Sequence, residues 1–214
     1  MIRRVKRRYN SSARKAAAEG TREAIIAAAR HLFLKRGYAG TTMQGIAERA
    51  AVALDTVYAT VGNKPALFRL LVETAISGRD EPVAAEERNY VRAIRAEPDA
   101  TRKLAIYAEA IGAIQPRLAP LFQVLETAAP LDADLKSLWQ EIARRRSANM
   151  RLLAQELAAT GQLRAGLSVE LAADILWSMN APEFYLLLVE QRGWSPDAFA
   201  RWLADAWRRL LLEP

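Results

Sequence analysis

The segment 41–68, TTMQGIAERAAVALDTVYATVGNKPALF, leaves this chain few folds to choose from. Ile46-Ala47 is followed at a helical interval by Ala51-Val52, then by Thr56-Val57-Tyr58, and six residues after the tyrosine by Lys64. The spacing predicts a short helix, a tight turn, a second short helix over Ala53–Ala59 with an exposed Thr/Tyr edge, and a basic residue opening another helix. Thr41-x-x-Gln44 is a capping-box pattern for the first of these helices. Pro65 suits the first turn of the helix that follows, which runs to about Ser77. Upstream, Ile25, Ala29, Leu32 and Phe33 repeat at i, i+4, i+7, i+8, which predicts a helix over about Glu19–Lys35 stopped by Gly37. Ile46, Ala47, Ala50, Val52 and Val57 would interlock, covered by Leu32, Phe33 and Phe68.

Taken together, residues 21–68 resemble the helix-turn-helix domain of TetR-type (tetracycline-repressor-like) transcriptional regulators. The resemblance implies an all-α chain with an N-terminal three-helix reading head and a C-terminal helical bundle for dimerisation and effector binding, about nine to ten helices in all. It implies a homodimer on a pseudo-palindromic double-stranded DNA operator, released by an unknown small-molecule effector, with no cofactor and no metal. Asn63-Lys64 and Leu67-Phe68 match the family pattern. The chain departs from it at Ala51, where the family usually has Gly; at Ala53, where Ser or Thr would cap the recognition helix; and at Ala59-Thr60 and Val61. A left-handed Ala51 would cost about 1–2 kcal/mol.

Chemistry divides the expected DNA contacts. Ala53, Leu54, Asp55 and Thr56 occupy the N-terminal turn of the second helix, the part that meets base edges, with Ala59 and Thr60 further along it. Lys64 and Tyr58 suit phosphates, and Thr42 offers a hydroxyl beside its helix's first amides. Asp55 faces a polyanion and is repelled unless it accepts from cytosine N4.

Charge is unevenly placed. Residues 1–79 hold 15 Lys/Arg against 5 Asp/Glu, whereas residues 80–214 hold 16 against 19. A basic third on a slightly acidic remainder fits a polyanion-binding module joined to something else. Residues 1–15 lack apolar periodicity and read as a disordered basic arm. Its Arg3, Arg4, Lys6, Arg7 and Arg8 either enter a minor groove or form a solvated tail. The division expected is 1–15 arm, 16–64 DNA-binding domain and 65–214 helical domain.

Beyond residue 80 the pattern is helix after helix, over about 81–95, 99–114, 117–128, 132–160, 168–191 and 195–212, with no alternating strand pattern. The last two helices are apolar on more than one face, which suits a subunit core and a partner. Leu176, Phe184, Leu188, Trp202 and Trp207 are the candidate dimer residues. All five Trp follow residue 130, and Tyr107, Phe122, Trp139, Met150 and Trp177 are candidate walls of an effector cavity, aromatic enough to suggest apolar aromatic or cationic ligands. Arg144-Arg145-Arg146 either attracts an anion or is a solvated face.

The single histidine, His31, has no partner arrangement for acid–base work. The chain has no cysteine and no GxSxG, HExxH, Walker or dinucleotide-binding pattern, so no catalytic or metal residues are assigned. No signal peptide or membrane-length apolar run is visible, and a cytoplasmic protein is expected. The alternatives are an all-α protein-interaction bundle or a small enzyme without sequence-specific DNA binding, and salt-dependent retention on DNA separates both from a regulator.

Overall fold

The computed structural model describes residues 11–79 and 81–213. The arm residues Arg3, Arg4, Lys6, Arg7 and Arg8 lie outside them. Among the described residues ten α-helices follow one another: α1 (Ser11–Arg36), α2 (Met43–Ala50), α3 (Leu54–Val61), α4 (Lys64–Ser77), α5 (Asn89–Ala96), α6 (Ala100–Ala128), α7 (Ala133–Ala159), α8 (Val169–Met179), α9 (Pro182–Tyr185) and α10 (Pro196–Leu211). A 3-10 turn covers Ala85–Glu87, and the chain after α9 continues as a π-helical segment, Leu186–Gln191. Among the described residues the one β-type pairing is an isolated antiparallel bridge between Leu163 and Leu212. No helix among them is long and apolar enough to cross a membrane. The chain divides into two compact units, 1–68 and 69–214, and the division falls inside α4, four residues beyond the expected boundary at Lys64.

Four elements differ from the periodicity reading, each for a local reason. Helix α1 starts eight residues before Glu19, so 11–15 are helical although they carry no apolar face. The stretch ARKAAAEG is rich in strong helix formers and extends a helix already nucleated by the packed residues after it. The helix expected over 81–95 is split, because the Arg88 guanidinium donates to the Val83 carbonyl (3.1 and 3.2 Å) and folds 83–88 back on itself. The two helices expected over 99–128 are one, running through Pro116 and Pro120. Each interior proline costs about 3 kcal/mol. Burial of Leu104, Leu118, Leu121, Phe122 and Leu125 on the same helix, at about 1.5–3 kcal/mol each, outweighs that. The helix expected over 168–191 instead breaks at Asn180-Ala181, since Pro182 forces Ala181 into an extended conformation (φ −64°, ψ 141°) and then opens α9.

In the first unit the core is Ile25, Ala29, Leu32, Phe33, Tyr38, Met43, Ile46, Ala47, Val57, Leu67 and Phe68, all buried. Phe33, Tyr38 and Phe68 form a closed aromatic triad, with Phe68 edge-on to both others (5.0 and 5.5 Å) and Tyr38 stacked on Phe33 (5.6 Å). Such pairs contribute about 0.5–1.5 kcal/mol beyond area burial. They join α1, the turn after it and α4 around the two short helices.

The second unit is organised on α6, against which α10 packs along its length. Tyr107 stacks on Trp207 (5.3 Å), and Phe199, Leu203 and Leu211 complete the contact. Gly112 permits the approach, because a Cβ there would sit 2.8 Å from the Ala200 Cβ. The C-terminus clasps the loop before α8: Arg164 donates to the Leu211 carbonyl (2.9 Å) and Glu213 to that of Gln162 (3.2 Å). The Gln162 side chain in turn accepts from the Ala100 amide (2.7 Å) at the start of α6.

A pair of glycine replacements tests this packing. Gly20→Ala meets nothing within 4 Å and should gain up to about 1 kcal/mol of helix propensity. Gly112→Val must push α10 off α6 and should lose about 1–3 kcal/mol in urea unfolding. Equal stability of the two variants would show that the α6–α10 contact is slack.

Candidate nucleic-acid interface and helical-domain cavity

Thr42 caps α2: its backbone is extended and its Oγ1 accepts from the Gly45 amide (3.0 Å). The cap thus lies one residue after the expected Thr41. Thr41 is buried and donates instead to the Gly37 carbonyl (2.8 Å), while Gln44 donates to Glu48 (3.0 Å). The turn after α2 rests on Ala51, at φ 56° and ψ 42° the one non-glycine residue with positive φ among the described residues. It closes with Val52 N–H on the Ala47 carbonyl (3.1 Å), the 6→1 bond of a Schellman turn. Alanine carries the left-handed conformation because α2 and α3 are locked by Ile46, Ala47 and Val57, all essentially inaccessible to water.

Helix α3 starts at Ala53 without a side-chain cap. Its inner side is Val57; Leu54, Thr56 and Thr60 are half-buried, and Asp55, Tyr58 and Ala59 are exposed. Tyr58 is 48% exposed, high for a tyrosine in a folded unit. The Thr60 hydroxyl is directed inward, donating to the Thr56 carbonyl at 2.6 Å, so along α3 only its lone pairs remain for an external donor. Asn63 caps α4 through the Ala66 amide (3.0 Å). Lys64 follows, its Nζ 4.1 Å from the centroid of the Tyr38 ring. Sequence reasoning overlooked Tyr38, although its place two residues after a basic helix end, in Gly37-Tyr38, was a visible signal. Basic residues cluster near α1's end as well: partial desolvation, then Arg49, Lys35 and Arg36, hold His31 below the ordinary histidine range.

The second unit contains a cavity of about 540 Å³, walled by α4, α5, α6, α7 and the break between α8 and α9. Tyr107 and Met150 line it. Phe122, Trp139 and Trp177 do not. The α6 wall ends at Leu118 and the α7 wall begins at Ile142, so Phe122 and Trp139 lie one turn beyond it and pack on each other (4.8 Å). Trp177 is exposed on α8, its ring 5.1 Å from the Arg146 guanidinium carbon.

Beside the cavity lies a polar knot centred on Asn180. Its Nδ2 donates to the Tyr107 hydroxyl oxygen (2.7 Å) and lies 3.1 Å from the Met150 sulfur. Its Oδ1 accepts from Arg146 (2.6 Å), and its carbonyl accepts from Gln115 Nε2 (2.8 Å). Burial foremost, with Tyr90 nearby, pushes the Tyr107 phenol well above its usual range, so it is a hydroxyl at any working pH. Gln115 and Asn180 were not anticipated, and Arg146 was named only within the run Arg144-Arg145-Arg146, as an anion attractor or a solvated face. Asn180-Ala181-Pro182 is a helix-stop pattern that could have revealed the last.

Of the expected dimer residues, Leu176 and Trp207 are fully buried in their own subunit and can touch no partner. Phe184, Leu188 and Trp202 are half-buried. The outward apolar surface lies on their neighbours: Leu171 (52% exposed) on α8, Leu187 (49%) after α9 and Leu210 (38%) on α10.

Comparison with known proteins bears on both units. Residues 25–71 match the model of the bacterial regulatory proteins, tetR family. The chain is 28% identical over 183 residues, 80% of each protein, to YdeS of Bacillus subtilis, an HTH-type transcriptional regulator. Its fold matches NalD of Pseudomonas aeruginosa, the secondary repressor of the MexAB-OprM multidrug efflux pump, at TM-score 0.71 and 25% identity, covering 92% of this chain and 98% of that one. It also matches Bacillus subtilis FadR in complex with stearoyl-CoA, at TM-score 0.69 and 21% identity over 86% and 96% of the two chains.

Two single changes test the reading head's architecture. Ala51→Gly should relieve left-handed strain and raise stability by a net amount below about 1 kcal/mol, since glycine's entropy offsets part of the gain. Ala53→Ser should add the missing cap, worth about 1 kcal/mol. Thermal denaturation reads both, and a loss of stability in either would show that the turn or cap is not as described.

Proposed function

On the match of residues 25–71 to the bacterial tetR family and the fold shared with NalD, we propose that the chain is a cytoplasmic homodimeric repressor of the TetR type. It holds a pseudo-palindromic operator through two copies of α3 and releases it when a small molecule fills the helical-domain cavity. The observation that carries the DNA part is the asymmetry of α3. One side is sealed on the core through Val57, while Asp55, Tyr58 and Ala59 stand clear. A helix only eight residues long offers that surface only if its packed side is fixed. Repression is proposed on the fold shared with NalD, a repressor.

Phosphates are met by Lys64, Tyr58 and Thr42. Thr42 can donate its hydroxyl outward while accepting from Gly45. Ala53, Leu54, Asp55 and Thr56 meet base edges, with Ala59 against the groove wall and Thr60 accepting through its oxygen. Arg3, Arg4, Lys6, Arg7 and Arg8 add charge beside the site. The partner subunit packs on the outward side of α8 and α10, on Leu171, Trp202 and Leu210, with Phe184 and Leu188 at its margin. Effector release requires that the ligand favour the DNA-free state, since only differential affinity shifts an equilibrium. Helix α4 runs from Lys64 to the cavity-lining Glu73 and Ile76 and is the element through which filling is felt.

Selection from random duplex DNA should return an inverted repeat with half-sites about one helical turn or more apart. Asymmetric or single-stranded sites alone would refute the reading. On the selected operator, Lys64→Ala and Tyr58→Phe should weaken all sequences alike, with the salt slope falling by about one for Lys64→Ala. Asp55→Ala should relax preference at one position per half-site by about 1–3 kcal/mol. Uniform tightening after Asp55→Ala would instead mark Asp55 as a repulsive group. Leu210→Glu should yield monomers in sedimentation and lose operator binding.

A further inference from the structure

We infer that the cavity takes an apolar molecule bearing a carboxylate, and that Arg146 is the residue that selects it. The inference rests on the effector reading above and specifies its chemistry.

The cavity's charged residues fall into two groups. Glu73 is 3.4 Å from Arg145, and Glu156 lies 3.5 Å from Lys103 and 3.7 Å from Arg95. Glu86 is exposed. Two lining arginines, Arg88 and Arg146, have no carboxylate within ion-pair distance among the described residues. Arg88 uses Nε and Nη2 on the Val83 carbonyl and Nη1 on the Tyr90 hydroxyl, so each of its nitrogens is already engaged. Arg146 is the other, and its nitrogens are not all engaged. Glu183, also exposed, acts on it only from farther away. Arg146 is held by neutral groups alone, donating to the Trp177 carbonyl (2.9 Å) and to Asn180 Oδ1 (2.6 Å), with the Trp177 ring against its face. All these bonds use Nη2, which leaves Nη1 and Nε without partners among the described residues. Burial disfavours its charge and lowers its pKa from the ordinary arginine value, yet a guanidinium is not discharged at working pH. A half-buried cation fixed by neutral acceptors lacks only its counter-ion.

A second donor is at hand. The Tyr107 hydroxyl directs its proton only at the Met150 sulfur, 3.4 Å away, a weak acceptor, and one carboxamide, that of Asn180, joins it to Arg146. A carboxylate entering from the cavity would gain a charge-assisted bond from Arg146 and draw the Tyr107 proton from sulfur to oxygen. The remaining walls, Ile94, Ile111, Leu118 and Leu153, suit an apolar body, and the volume of about 540 Å³ falls within the usual range for small-molecule sites. This chemistry opposes the cationic ligands that the aromatic content alone suggested, because a cation would face an unscreened guanidinium.

The test uses the full chain free of DNA, with decanoate and 4-phenylbutyrate as probes, their primary amides as neutral isosteres and decyltrimethylammonium as the cation. Calorimetry and intrinsic tryptophan fluorescence report binding. Each acid should bind at least about tenfold tighter than its amide. The preference should vanish in Arg146→Gln and persist in Arg146→Lys and in Arg145→Gln. The inference is overturned if amides or the ammonium bind as tightly as the acids, if no acid binds, or if the preference survives Arg146→Gln. Should Arg146→Gln fail to fold, the acid-to-amide ratio in the wild type and in Arg146→Lys decides. A parallel anisotropy measurement on the selected operator separates the two readings. Acids that bind but leave DNA bound uphold the site and refute effector release, whereas release by the amide or the ammonium alone upholds the effector reading and refutes the carboxylate.

Discussion

Helices α2 and α3 are eight residues each, too short to persist in water, so the reading head exists only because the aromatic triad Phe33–Tyr38–Phe68 holds α1 and α4 around them. Several features depend on that clamp. It fixes Ile46, Ala47 and Val57 in a dry interior, which lets Ala51 sustain a left-handed backbone and Ala53 start a helix without a side-chain cap. Tyr38 also lies under the Lys64 ammonium, so the same ring that packs the core orients a cation at the head of α4.

The helical domain depends on a different kind of contact. Asn180 sits where Pro182 ends α8, and its amide and carbonyl tie α6, α7 and α8 together through Gln115, Tyr107, Arg146 and Met150. A buried carboxamide is tolerated only when its donors and acceptor are met. Here they are met by groups that also line the cavity. The knot therefore sets both the helix break and the polar end of the cavity, and the unpaired guanidinium gives that end its sign.

Much of this was legible in residue order. The all-α class follows from helical periodicity and the absence of alternation, and the helix-turn-helix from the spacing of Ile46-Ala47, Ala51-Val52, Val57-Tyr58 and Lys64. These are local signals, set by contacts within a few turns. Helix ends were less legible where a distant partner intervened. Pro116 lies between the helices expected over 99–114 and 117–128, yet α6 runs through it because one face of α6 is buried from Ala100 to Leu125. Thr41 reads as a cap, yet it is buried and Thr42 does the capping.

What the sequence by itself determined is the class, the reading head and the uneven charge, because each rests on neighbours in the chain. Only the tertiary structure decided which aromatic residues line a cavity and which fill a core. Tyr107, Phe122, Trp139 and Trp177 look alike as aromatic residues on apolar helices, but their fates differ by where α6, α7 and α8 approach one another. It likewise turned Leu176 and Trp207 inward and left Leu171 and Leu210 outside. It also singled out Arg146 from a run of three arginines by pairing Arg145 with Glu73 and leaving Arg146 among neutral acceptors. Pairing and burial join residues tens of positions apart, and no periodicity along the chain encodes which of them will meet.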